Sequence, residues 1–367
     1  MPAFARCGGT GMFVSSTRLV TVILIAAAAV AATTRAEAAA LVGKTSSVES
    51  VKPAAKSADK LRAEYRRPQS IPFPKDNPYE AEKAILGKKL YFDTRLSEGR
   101  LLSCASCHNP GYAWGDGQPK GIGHLMKTLD RRSPTIINAA YGQIFMWDGR
   151  MASLEEQALG PIQAGAEMAL PLDKMLARLK EIPDYKPLFD AAFPGQEISA
   201  KNVARAIATF ERTVVSARAP FDAWVEGDDK AISENAKRGF VVFNNKGQCS
   251  LCHSSWRFSD DSFHDIGLSD NDIGRGAFLQ NVPKVQHAFK TPGLREISLR
   301  GPYMHNGSIA TLEAVVEHYD SGGVPRESRS ELIRPLGLTS EEKADLVAFL
   351  RTLTGDTDAM TVPVLPR

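Results

Sequence analysis

Beyond its first 38 residues this 367-residue chain has no cysteine outside two five-residue stretches, no long apolar run and almost no net charge. Each absence removes a class of explanation. Without a spare thiol there is no disulfide framework. Without a basic excess there is nothing to draw nucleic acid or an anionic membrane surface. Without an apolar stretch of about 20 residues there is no spanning helix in this part of the chain. Alternating strand patterns are scarce as well, and helical periods dominate, so the fold is expected to be mainly α.

The excluded leader has its own signature. Arg6 and Arg18 precede or open onto the apolar run LVTVILIAAAAVAA at 19–32, and small residues follow around Ala36-Glu37-Ala38. That is the pattern of a cleaved secretory signal over 1–38, too short and alanine-rich to anchor the protein. Cleavage is expected after Ala38, with Ala40 as the second choice, and no lipid-modified Cys follows either. Removing 1–38 takes away three Arg, one Glu and Cys7, so the formal charge falls from +3 to +1. The protein is therefore expected to be exported to the periplasm.

What remains of the cysteine is CASCH at 104–108 and CSLCH at 249–253. Two thiols three apart can add across the two vinyl groups of a porphyrin, and the His that follows then lies under the ring to bind iron. A four-thiolate zinc site would not need His108 and His253, and a redox dithiol belongs in a βαβ setting. Two covalently bound haem c groups are thus expected, on Cys104, Cys107 and His108 and on Cys249, Cys252 and His253.

Residues 39–70 are polar without a clear apolar period and read as a flexible lead segment. Helical patterns follow. Val203, Ile207, Phe210 and Val214 lie on one face, and Thr339 with Glu342 forms a capping box for a helix that should stop by Gly355. Ser153 with Glu156 starts a short helix that Gly160-Pro161 should end. No repeat is apparent beyond the haem motif. The stretch 219–233 reads as a boundary, which gives one haem domain at 71–222 and another at 223–367.

A permanent sixth ligand on an iron means electron transfer; an open position means chemistry. After Cys252 the candidate ligands are His264, His287, Met304, His305, His318, Tyr319 and Met360. Leu312, Val315, Val316 and Tyr319 follow a helical face, while His318 turns about 100° from Tyr319. The same period also describes a core tyrosine.

LGKKLYFDTRLSEGRLLSCASCHNP, FMWDGRMASLEEQALGPIQAGAEM and FKTPGLREISLRGPYMHNGSIATLEAVVEHY, in this order, resemble the bacterial diheme cytochrome c peroxidases and their MauG-type relatives over roughly 71–355. The resemblance implies two cytochrome c-like haem domains packed side by side. It implies Tyr319, fourteen after His305, as ligand of the second iron, where peroxidase-type members carry Met. A phenolate oxygen favours Fe(III) and a low potential. It further implies that Gln157, Pro161 and Glu167 face the His108 haem. There Gln157 would hold hydrogen peroxide, Pro161 would crowd out bulkier ligands, and Glu167 would carry a proton from its inner to its outer oxygen. Gln157 lies three after Leu154 on an inward face, although a buried amide bonded to backbone fits that pattern too. His124, sixteen after His108, matches a loop His that ligates the resting iron in some members; a solvated loop His is the plain alternative. Trp147 matches the aromatic relay between the haems and could equally be a core anchor.

The chain also departs from the family. Relatives hold calcium between the haems with an Asn of R-N-[ST]-P and carbonyls of T-x-P; here Arg132 and Arg300 stand at those places, which puts calcium in doubt. MauG-type enzymes draw electrons from a protein substrate through a surface Trp where this chain has Gly247, with Trp256 nearby as a substitute or as packing. Leu294-Arg295-Glu296 replaces LRN without a reason visible in sequence. The resemblance implies peroxide reduction with electrons from a redox partner protein, such as a small cytochrome c. Its alternatives are MauG-type oxidation of a partner protein's residues and a diheme cytochrome without enzymatic activity. Pairing of two copies is a further expectation from peroxidase-type relatives.

Overall fold

Two crossings of helices, one in each half of the chain, organise the structure. It is a computed structural model that describes residues 58–356 and 360–367. The expected signal segment and the start of the lead segment lie outside these residues. The described residues are mostly helical, and the one sheet among them pairs Phe263 with Lys290 and His264 with Phe289, antiparallel.

In the first half the helix Ala81–Phe92 packs along Ala200–Thr213; in the second, Glu234–Asn244 packs along Ser340–Arg351. The two crossings are built alike. A Cβ on Gly87 would overlap the Ala206 carbonyl, and one on Gly239 would overlap the Asp345 carbonyl. One turn on from each contact sits an aromatic pair. Tyr91 meets Phe210 and Phe243 meets Phe349, both edge-on with ring centroids 5.1 Å apart. The haem motif thus belongs to a larger repeat, a Gly-x-x-x-aromatic helix laid across a helix with Phe four residues after its contact. Overpacking such a contact typically costs about 1–3 kcal/mol. Gly87→Ala and Gly239→Ala should each lower stability by that amount in chemical denaturation, and an unchanged midpoint for both would refute the close crossing.

Each crossing has its own core. Leu86, Leu90, Phe189, Ile207 and their neighbours form one; Phe221, Phe240, Phe258, Leu353 and theirs form the other. The ends of the described chain trade places between them. From residue 58 on, the lead segment expected to be loose is docked: Ala58–Glu64 is helical, Leu61 and Tyr65 lie in the second core, and the Tyr65 hydroxyl donates to Asn244 Oδ1 at 2.8 Å. Its apolar residues are too few to show a period. The segment 360–367 returns to the first half, where Met360 packs on the first core and Arg95 Nη2 donates to the Pro366 carbonyl at 2.9 Å.

The helix starts follow their caps. Thr339 and Glu342 form the capping box of Ser340–Arg351, and Ser153 Oγ accepts from the Glu156 N–H. The helix after Ser153 does not stop at Gly160-Pro161, however, but runs to Gln163 with Pro161 inside it. A proline this late costs only one backbone bond, the one to the Gln157 carbonyl.

Candidate active site

The two cysteine pairs line separate cavities, and all four thiols are free. Among the described residues they form no common cluster, so a four-thiolate zinc site is out. In each motif the N–H of the His bonds to the carbonyl of the first Cys, 2.9 Å for His108 and 2.8 Å for His253, which folds the five residues into one turn. Each imidazole is then held the same way. His108 Nδ1 is 2.7 Å from the Pro134 carbonyl oxygen and His253 Nδ1 is 2.9 Å from that of Phe258. A carbonyl can only accept, so Nδ1 carries the proton and Nε2 is left as a lone pair. Burial lowers the proton affinity of both rings and keeps them neutral. Burial also holds the Cys104, Cys107 and Cys249 thiols protonated, with the pKa of Cys107 pushed up to about 11 and that of Cys249 to about 12. Neutral imidazoles fixed by backbone carbonyls, beside thiols free of disulfides, form a donor set that would fit an iron porphyrin.

Gln157, Pro161 and Glu167 line the His108 cavity. Gln157 and Pro161 project from the helix Leu154–Gln163, whereas Glu167 sits on the turn after it. That turn is pinned by the neighbouring loop, where the His124 N–H donates to the Glu167 carbonyl at 2.7 Å. Burial raises the Glu167 pKa, and the positive charge of Arg150 partly offsets this. His124 contributes its backbone here; its side chain lines neither haem cavity and lies near Gly99.

The second cavity is more apolar in its lining and holds His253 and Tyr319 together. Tyr319 projects from the helix Leu312–Ser321, and burial with the nearby Cys252 and Cys249 thiols keeps its phenol protonated in the protein alone. Of the other candidate ligands, His264, Met304 and His305 also line this cavity. His264 Nε2 is 2.9 Å from Asp260 Oδ2, and His305 stacks on Phe289 at 3.5 Å. His287 is bound to the Asp272 carbonyl, His318 to that of Ile266, and Met360 lies against the first core.

Trp147 borders both cavities. Its Nε1–H donates to the Arg132 carbonyl at 2.8 Å, and its own carbonyl accepts from the Lys290 N–H at 2.8 Å. Trp256, by contrast, is packed edge-on against Tyr141 at 4.7 Å. Gly247 lines the second cavity beside Cys249 and presents no ring there.

Three features escaped the sequence reading. Glu211 is buried beside Cys104, its pKa pushed up to about 8 by burial. Its place four after Ile207 on an apolar helical face was the available signal. Met146 Sδ lies 3.9 Å from Gln157 Nε2, with the Met146 backbone at φ 70°, which no sequence pattern announces. The Leu294-Arg295-Glu296 departure also gains a reason. Arg295 is almost fully buried, 2.8 Å from Asp222 and donating to the Trp256 carbonyl at 2.7 Å, so it ties the start of the second half to the loop after the second haem motif.

The profile of the di-haem cytochrome c peroxidase family matches residues 81–230. The chain is 51% identical over 309 residues to the methylamine utilization protein MauG of Methylorubrum extorquens, covering 83% of this chain and 88% of that protein. It is 33% identical over 310 residues to the cytochrome c551 peroxidase of Pseudomonas aeruginosa, covering 82% and 86%. Among solved structures, a MauG-like protein associated with microbial copper homeostasis superposes with a TM-score of 0.73 at 33% identity, covering 78% of this chain and 94% of that one.

Proposed function

Since the chain belongs to the family of di-haem cytochrome c peroxidases and MauG proteins, we propose that it reduces hydrogen peroxide in the His108 cavity with electrons delivered through the His253/Tyr319 side. Two haem c groups would be held by the two motifs, in domains 71–222 and 223–367 lying side by side. The iron porphyrins supply the redox centres. The overall change is H2O2 with two protons and two electrons to two water molecules.

The protein's own groups do the rest. Gln157 orients peroxide by hydrogen bonding, and Pro161, without an N–H, leaves a small apolar face that admits little else. Glu167 takes the proton from the inner oxygen and returns it to the outer one, so that water leaves. Tyr319 would hold the second iron through its phenol oxygen, which loses its proton to do so, and the anion would keep that centre at low potential. Trp147, bordering both cavities, carries electrons between them. The observation that carries this reading is the contrast between the cavities: an acid, an amide and a proline line the one with His108, and a phenol the one with His253.

A second reading takes the electrons from residues of a partner protein instead of a soluble donor. Tyr319 and the 51% identity to a MauG protein favour it; Gly247 weighs against. Rapid mixing of the oxidised holoprotein with peroxide separates the possibilities. Turnover with a small cytochrome donor supports the first. A long-lived spectral change without prior reduction, insensitive to that donor, supports the second. A spectrum that peroxide leaves unchanged both before and after reduction of one haem leaves a plain electron carrier and overturns both. No helix among the described residues is long and apolar enough to cross a membrane. Export to the periplasm is part of the proposal, and the mass of the mature chain, starting or not just after Ala38, decides it.

A further inference from the structure

Arg132 and Arg300 are 5% and 6% exposed, and no carboxylate among the described residues lies within ion-pair distance of either. Both stand between the haem cavities. Arg132 lines the His108 and the His253 cavity, and Arg300 lines the His253 cavity and a smaller one that also reaches His108. Their hydrogen bonds run to backbone carbonyls alone. Arg132 Nη2 donates to the Arg300 carbonyl at 2.7 Å, and Arg300 Nη1 donates to the Gly293 and Arg295 carbonyls at 2.8 Å each. The Nε–H of both residues has no partner.

A buried charge without a counterion is costly, and two that face each other are more so. Burial, and next the proximity of Arg132, lowers the Arg300 pKa to about 9. Such an arrangement is stable in the finished protein when anions enter from the cavities. It also leaves no place for a calcium ion, which needs six or more oxygen ligands. The Arg300 carbonyl already accepts from Arg132, and the Arg132 carbonyl from Trp147.

We propose that Arg132 and Arg300 form a fixed dication between the two cavities that binds the haem carboxylates and replaces the calcium ion of related enzymes. The inference rests on both cavities holding haem, as proposed above. Guanidinium forks suit carboxylates, and fixed positive charge there favours the reduced irons.

The test uses the full holoprotein. Covalent haem is counted first: fewer than two per chain would refute the proposed function, whatever the metal result. With two haems present, metal analysis of the protein as isolated should find no calcium, and neither EGTA nor added calcium chloride should change the spectrum or either midpoint potential. One calcium per chain, removed by EGTA with a spectral change, would overturn the inference while leaving the peroxidase reading standing. Arg132→Gln and Arg300→Gln should each shift at least one reduction equilibrium about tenfold toward the oxidised form, about 59 mV for one electron. Each should also move the propionate bending bands in resonance Raman spectra. Unmoved bands and potentials in both variants would equally overturn it.

Discussion

Glu167→Gln should slow peroxide reduction by about 10²–10⁴-fold, the usual worth of a positioned acid–base group, with covalent haem content unchanged. The amide keeps the size and much of the hydrogen bonding of the carboxyl but cannot accept and return a proton. The pH dependence supplies a sharper check. Burial raises the Glu167 pKa, and the working form before reaction is the carboxylate. As pH falls, protonation therefore removes the base, and kcat/KM should decline on the acid side above the range of an exposed Glu. That limb should be missing in Glu167→Gln. Stopped-flow rates within about twofold of the parent protein, or the same acid limb in the variant, would take the proton-carrying role from Glu167.

Tyr319→Met should raise the potential of the His253 haem by on the order of 0.1–0.3 V, part of the span of about 0.8 V that axial ligands cover. A thioether is neutral and soft and favours Fe(II), whereas a phenolate is anionic and hard and favours Fe(III). The site accepts the exchange because the side chain at 319 enters a cavity with an apolar lining that includes Val315, Val316 and Leu346. Spectroelectrochemical titration of both haems reads the result. An unchanged potential at the second haem would mean that another group lining the cavity, His264, Met304 or His305, holds the iron.

The haem motifs were legible because their chemistry is local. Five residues suffice to place two thiols and an imidazole, and the structure adds only the carbonyls of Pro134 and Phe258 that fix the rings. The caps at Ser153 and Thr339 were legible for the same reason. Whatever depends on registry between distant segments was not. Gly87 meets Ala206, and Gly239 meets Asp345, across more than a hundred residues, so the repeated crossing leaves only a glycine and scattered aromatics in the sequence. The docking of Leu61 and Tyr65 follows from a core assembled largely beyond residue 220. The two arginines could be read as misfits in a calcium motif. Their lack of carboxylate partners could not, because it depends on which chains of atoms converge between the cavities.

The anchoring of Trp147 has a consequence for what an indole can do there. Its ring N–H faces an amide oxygen, among the weakest bases in a protein, rather than a carboxylate. An indole that loses an electron in this setting cannot shed its proton, so it has no neutral radical to relax into. Under the proposed relay, positive charge placed on the ring would move on or return, and the residue would be left chemically as it was.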